Sequence, residues 1–210
     1  MEYLVKKTNI INPGIDSAEW SRAETGYINK EPWVSKYTKA PETIFKMLKG
    51  PEGLSILMHT NETHLRQEIS ADNGPICTDS CMEFFYKPSP WDLRYLNFEI
   101  NPKGFLNLAI RKIRHEKEPV NEDKKIFDIV STANEGDWTL KFYIPDSFIE
   151  KMYPDLEKLS HGNSSNIARG NFYKCGDETD HPHYASWSEI LTEKPDFHLP
   201  DFFGRFVFEE

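Results

Sequence analysis

The stretch Tyr95-Leu96-Asn97-Phe98-Glu99-Ile100-Asn101-Pro102-Lys103-Gly104-Phe105-Leu106-Asn107-Leu108-Ala109-Ile110 decides the fold. Leu96, Phe98 and Ile100 alternate with polar residues, the period of a strand with one buried face. Pro102-Lys103-Gly104 interrupts the alternation, and Leu106, Leu108 and Ile110 resume it. The segment therefore reads as two antiparallel strands joined by a short turn.

Working outward, the same period recurs. Thr43, Phe45 and Met47 share one face of a strand. Pro51-Glu52-Gly53 turns the chain into a second, Leu54 to Met58. In Cys81 to Tyr86, Met82, Phe84 and Tyr86 point to one side, and Cys81, Glu83 and Phe85 to the other. Lys125 to Ser131 reads as a further strand. Trp138 to Ile144 places Trp138, Leu140, Phe142 and Ile144 on one face and ends at Pro145. Asp146 then caps a short helix carrying Phe148, Ile149 and Met152, which Pro154 limits to about two turns. Late strands are expected at Asn171 to Cys175 and Gly204 to Glu209. The first forty residues read as irregular, with a turn signal at Asn12-Pro13-Gly14. Eight or nine strands and one short helix make an all-β fold, an antiparallel β-sandwich of jelly-roll type, over residues 1–210 as one domain.

The composition limits the function. The 210 residues carry a formal net charge of -9, so broad phosphate neutralisation, and with it nucleic-acid binding, is not expected. The basic run Arg111 to Lys117 is short and diluted by Glu116, and Glu118 follows it. No apolar run approaches the roughly 20 residues of a membrane span. No apolar core follows the charges of Met1 to Lys7, so these residues are not a signal peptide. A chain complete as it stands is expected in the cytoplasm; one from which a leader was removed would be secreted. The three cysteines read as free thiols, because Cys77 and Cys81 are too far apart on a straight segment to pair.

Four clusters carry candidate chemistry. In Asp79-Ser80-Cys81-Met82-Glu83, Glu83 projects away from the apolar face and offers about four acceptor sites for ligand hydroxyls; the plainer alternative is a solvated carboxylate. Arg169-Gly170-Asn171-Phe172-Tyr173-Lys174-Cys175-Gly176-Asp177-Glu178 mixes donors, amides and rings. It reads equally as a recognition segment or as a bulge and turn. His181-Pro182-His183, with Cys175 and Asp177, could make a tetrahedral metal site, although no zinc spacing is present and Pro182 favours a loop. Trp187, after Tyr184-Ala185-Ser186, is either a stacking platform for a sugar face or a plug in the sandwich. No G-x-S-x-G, glycine-rich phosphate loop or H-E-x-x-H occurs.

Together these segments resemble a known family. Asp79-Ser80-Cys81-Met82-Glu83-Phe84-Phe85 is similar to the D-S-C-V-E-F-F signature of the family 9-like carbohydrate-binding domains. Gly170 to Asp177, His181-Pro182-His183, Ser186-Trp187, Pro195-Asp196-Phe197-His198 and Phe202-Phe203-Gly204 resemble its C-terminal signature. The hairpin Tyr95 to Asn101 with Gly104 fits its middle, and the similarity runs over about residues 15 to 209.

The resemblance implies a β-sandwich that binds sugars without catalysis. In the well-understood branch, two aromatic rings clamp a terminal sugar, polar side chains hold its hydroxyls, and calcium ions are structural. It points to Glu83 as the carboxylate and Trp187 as one aromatic wall. Arg169, Asn171, Tyr173, Lys174, His181 and His183 complete the expected ligand-binding set. The second wall would stand six positions before the carboxylate, where this chain has Cys77, so Trp33 or Trp91 would have to replace it. Competing readings are a carbohydrate-active hydrolase using carboxylates and the His181–His183 pair, and a partner-binding module in which the signature only closes the fold.

Overall fold

A computed structural model describes residues 1–156 and 166–210. Seven strands hydrogen-bond in the order β8 (Lys117–Pro119), β7 (Leu106–Arg111), β6 (Tyr95–Ile100), β5 (Cys81–Lys87), β11 (Ile167–Cys175), β13 (Gly204–Phe208) and β1 (Glu2–Lys7). From β1 the ladder continues through β3 (Thr43–Gly50), β4 (Gly53–Thr60), β10 (Asp137–Pro145) and β9 (Val130–Asn134). The short strands β2 (Gly26–Tyr27) and β12 (Tyr184–Ser186) add to β3 and β11. The helix α1 (Asp146–Met152) follows β10 directly. Among the described residues no helix is long and apolar enough to cross a membrane.

The two halves of this curled sheet face each other. Phe84, Phe172 and Phe206 from one half meet Phe45 and Phe142 from the other, with ring centroids 3.8 Å apart for Phe45–Phe172 and 6.3 Å for Phe84–Phe142. The expected sandwich is present, and the β6–β7 hairpin pairs in the register its alternation implies, with Leu96 opposite Ile110 and Phe98 opposite Leu108. Its turn needs Gly104, whose φ of +78° suits glycine.

Three local readings change. The N-terminus is not wholly irregular: β1 joins the two halves, pairing Glu2–Val5 with β13 and Lys6–Lys7 with β3, both in parallel. Among the described residues, every other strand pair is antiparallel. The strand expected at Lys125 to Ser131 starts only at Val130. Asp123 caps a 3-10 turn over Lys124–Phe127, and Asp128 takes a left-handed φ of 41°, which breaks extended backbone. The α1 helix has Pro145 at its cap; Asp146 lies in its first turn and pairs with Lys49 at 2.8 Å.

A second apolar layer positions the site. Strand β5 is buried on both faces. Met82, Phe84 and Tyr86 enter the main core, while Cys81 and Phe85 pack outward with Tyr95, Tyr173 and Cys175. Trp33, Ile76, Ile190, Phe197 and Phe203 from connecting segments cover this outer face. Asp79, fully buried at the entry to β5, ties one of those segments down. Its carboxylate accepts from Arg66 Nη1 (2.6 Å), the Glu68 and Ile69 amides (2.9 Å each) and Asn101 Nδ2 (2.9 Å). Ser80 Oγ accepts from the Arg66 amide and donates to Glu62. The Asp-Ser part of the signature is thus an anchor. Asp79→Ala orphans several donors at once and should cost about 2–3 kcal/mol, measured by urea unfolding.

Candidate functional site

Strand register sets out a row of side chains on the outer face. Tyr173 lies opposite Glu83, Glu83 opposite Glu99, and Glu99 opposite Asn107. Cys175 lies opposite Cys81 one step along. Where the covering layer ends, Glu83, Glu99, Cys175 and Asp177 open into a cleft of about 320 Å³. Tyr37 and Tyr184, in ring contact, give that cleft an aromatic side, and Arg114, Lys194 and His198 line it as well.

The two central carboxylates differ in their partners. Glu99 is held at both oxygens, by Asn97 Nδ2 at 2.6 Å and Asn107 Nδ2 at 2.8 Å. Those amides are held in turn by Arg111 Nε (2.8 Å) and Lys117 Nζ (2.9 Å). Among the described residues, Glu83 accepts only from the Cys175 thiol, at 3.0 Å. Burial, and then the Glu99 charge, hold the Glu83 carboxyl well above the usual carboxylate range. Burial raises Glu99 as well, but its amide bonds and the charges of Arg111 and Lys117 oppose the rise. Glu83 is therefore the group with unused hydrogen-bonding capacity.

Of the aromatic side, Tyr37 was not singled out from sequence, and Tyr184 entered only as a neighbour of Trp187. Tyr37 and Tyr184 meet edge to face with centroids 4.8 Å apart, and Trp33 sets its edge against Tyr184 at 6.4 Å. Strand parity was the available signal. Tyr184 pairs with Cys175, whereas Ala185 and Trp187 turn into the main core. Also lining the cleft, His198 stacks on Phe85 at 4.9 Å and lies 3.0 Å from the Tyr95 hydroxyl. Burial, with the Arg111 and Arg114 charges, pushes its imidazole down to about 3, so it is neutral.

The expected ligand-binding residues do not converge. Glu83 lines the cleft, and Tyr173 lies behind it, donating to the Phe197 carbonyl at 3.1 Å. Asn171 is a backbone clamp, donating to the Ser188 carbonyl (2.9 Å) and accepting from its amide (2.8 Å). Arg169 donates to the Phe203 carbonyl at 2.7 Å and faces a separate cleft beside the 58% exposed Trp91. Lys174 is directed to the opposite side, where it pairs with Glu62 at 2.8 Å and meets His183 Nε2 at 2.9 Å. His181 and His183 line a third cleft of about 170 Å³ with Glu62 and His64. Side chains alternate along β11, so a contiguous polar segment is divided between two faces.

Two readings are corrected by these placements. Trp187 is not an open platform. It is 4% exposed, stacks on Phe206 at 5.2 Å and abuts Phe45 and Tyr3. A Cβ on Gly204 would lie 2.4 Å from its ring, which accounts for the glycine there. Trp187→Phe should cost about 1–2 kcal/mol by thermal unfolding. Nor do the histidines assemble a metal site with Cys175 and Asp177. His183 Nδ1 is taken by the His181 carbonyl at 2.7 Å and Nε2 by Lys174, while Cys175 lies on the other face.

His183 carries a pH dependence. Burial first, and the Lys174 charge second, push its imidazole down to about 4. Between pH about 6.5 and 4 the unfolded chain binds a proton that the folded state refuses. Its contribution is complete above pH about 6.5 and is lost as pH falls to 4, by about 3 kcal/mol. His183→Gln removes that slope. Its melting temperature should fall less than that of the wild type between pH about 7 and 4.5, read by circular dichroism.

Calcium, implied by the family resemblance, takes six to eight oxygen ligands. Among the described residues, the one group of three or more His, Cys, Asp or Glu side chains with ligating atoms in reach of a single ion is Cys81, Glu83 and Cys175. Two sulfurs do not suit calcium.

Comparisons with known proteins agree with the fold. The chain superposes on a candidate carbohydrate-binding protein from Bacteroides uniformis with a TM-score of 0.82 and 29% identity, covering 99% of each chain. A family 9 carbohydrate-binding module from Caldicellulosiruptor kristjanssonii, in complex with cellotriose, gives a TM-score of 0.64 at 14% identity, covering 100% of this chain and 94% of that one. The glucose complex of a family 9 module from the same organism gives 0.65 at 13% identity, covering 100% and 96%. No curated protein sequence matches the chain. The sequence profile described as carbohydrate-binding family 9 matches residues 15–208, and the chain belongs to that family.

Proposed function

We propose that this protein binds the end of a mono- or oligosaccharide in the cleft over Glu83, without catalysing its cleavage. The observation that carries this reading is Glu83 itself: a buried carboxylate with one weak thiol donor, open to a cleft with a tyrosine side. Sugar hydroxyls supply the donors it lacks, and the C–H face of a pyranose suits the Tyr184 and Tyr37 rings. Arg114 and Lys194 stand at the rim as donors to other hydroxyls. The volume falls within the range of small-ligand pockets.

The relatives bound to glucose and cellotriose make glucose and β-linked gluco-oligosaccharides the first ligands to test. Calorimetric titration should show saturable heat that is lost in Glu83→Ala and reduced in Tyr184→Ala. Absence of binding at millimolar concentrations across a glycan array would overturn the reading. The hydrolase alternative gains no support from the histidines, because His181 and His183 open into a different cleft.

A further inference from the structure

We propose that Cys81, Cys175 and Glu83 form a binding site for a thiophilic divalent cation of the zinc class on the floor of the same cleft. Cys81 and Cys175 are register partners on β5 and β11, so both sulfurs leave the sheet on one face, side by side. Glu83 follows Cys81 by two residues and emerges on that same face. The three ligating atoms lie within 4.8 Å of one another, and all three residues are buried. Cys175 Sγ is 3.0 Å from Glu83 Oε1. A tetrahedral ion bonded at about 2.3 Å to sulfur and about 2.0 Å to oxygen needs ligands at such mutual spacing.

The donor set selects the metal. Two thiolates and one carboxylate suit zinc and disfavour calcium and magnesium, which take oxygen. Three protein ligands leave a fourth position, and Cys175 and Glu83 line the cleft through which an ion and its water would enter. Glu99 and Asp177 face the same cleft and add negative charge around a cation. The ligands stand on the middle strands of a sheet rather than on loops, which holds their geometry before the ion arrives. Binding displaces the two thiol protons into solvent. The site shares Glu83 and its cleft with the carbohydrate reading, but its test is separate because its signal is the metal's own.

The test uses the full chain, reduced, stripped with a chelator and titrated with Co²⁺ as an optical probe. A thiolate-to-cobalt charge-transfer band that saturates at one equivalent and is bleached by Zn²⁺ is expected. Cys81→Ser and Cys175→Ser should each lose the band, Glu83→Gln should weaken cobalt binding about tenfold, and Cys77→Ser should keep it. Far-ultraviolet circular dichroism checks each variant's fold; if the two core cysteine variants do not fold, wild type, Glu83→Gln and Cys77→Ser decide. No charge-transfer band in the folded, reduced wild type would overturn the proposal. So would a band that depends on Cys77 or survives loss of both Cys81 and Cys175. Formation of a Cys81–Cys175 disulfide in place of cobalt uptake, seen as a fall from three free thiols to one, would overturn it as well.

Discussion

Phe84→Ala lowers the stability of the protein by about 3–5 kcal/mol, seen in urea unfolding as a lower midpoint and in thermal unfolding as a fall of about 10 °C. Phe84 has no solvent exposure and is ringed by five aromatics. Phe172 lies nearest, at 4.4 Å, and Phe142 contacts it from the opposite half of the sandwich. Truncation removes the transfer free energy of the ring and leaves a cavity between two sheets that cannot close without shifting strands. Phe84→Leu keeps more volume and should recover a good part of the loss. Equal stability of Phe84→Ala and wild type would contradict the packing described.

At a pH above the folded value of Glu83, where its carboxylate is charged, Glu83→Gln weakens carbohydrate binding by about ten- to a hundredfold, the effect of losing hydrogen bonds to a charged acceptor, about 1.5–3 kcal/mol. The same change should stabilise the free protein at alkaline pH. The folded-state pKa of Glu83 is raised, so the folded state holds a proton that the unfolded chain releases. Its charge therefore costs nothing below the unfolded pKa of about 4.3, and the full cost is present once pH exceeds the folded value. A neutral glutamine escapes that cost. Its melting temperature should exceed that of the wild type at pH about 8, and the gain should vanish near pH 4. Loss of affinity with a gain in stability marks a residue kept for binding; loss of both would mark one kept for packing.

Much of the family signature proves structural once its partners are known. Asp79 anchors a connecting segment, Asn171 clamps the Ser188 backbone, and Trp187 fills the core. These residue types look like ligand-binding groups in sequence because a buried amide or carboxylate that satisfies backbone donors carries the same chemistry as one that holds a sugar hydroxyl. The N-terminal strand was illegible for another reason. Only Tyr3 and Val5 face the core in a segment with Glu2, Lys6 and Lys7, too short a pattern to register as alternation. Its parallel pairing with both β13 and β3 depends on residues distant in the chain.

The sequence by itself determined the sandwich, the β6–β7 hairpin and the outward direction of Glu83. Those features follow from a two-residue period and local turn chemistry, which neighbouring residues specify. Only the tertiary structure decided which polar groups share a cleft. Alternation sends Lys174 to one side of β11 and Tyr173 and Cys175 to the other, and register then brings Cys175 beside Cys81 and Glu83 beside Glu99. Tyr184 gained its place in the cleft with Glu83 through the pairing of β12 with β11, and Tyr37 and the covering layer through connecting segments. Such layers are held by contacts between residues far apart in sequence, and no local period encodes them.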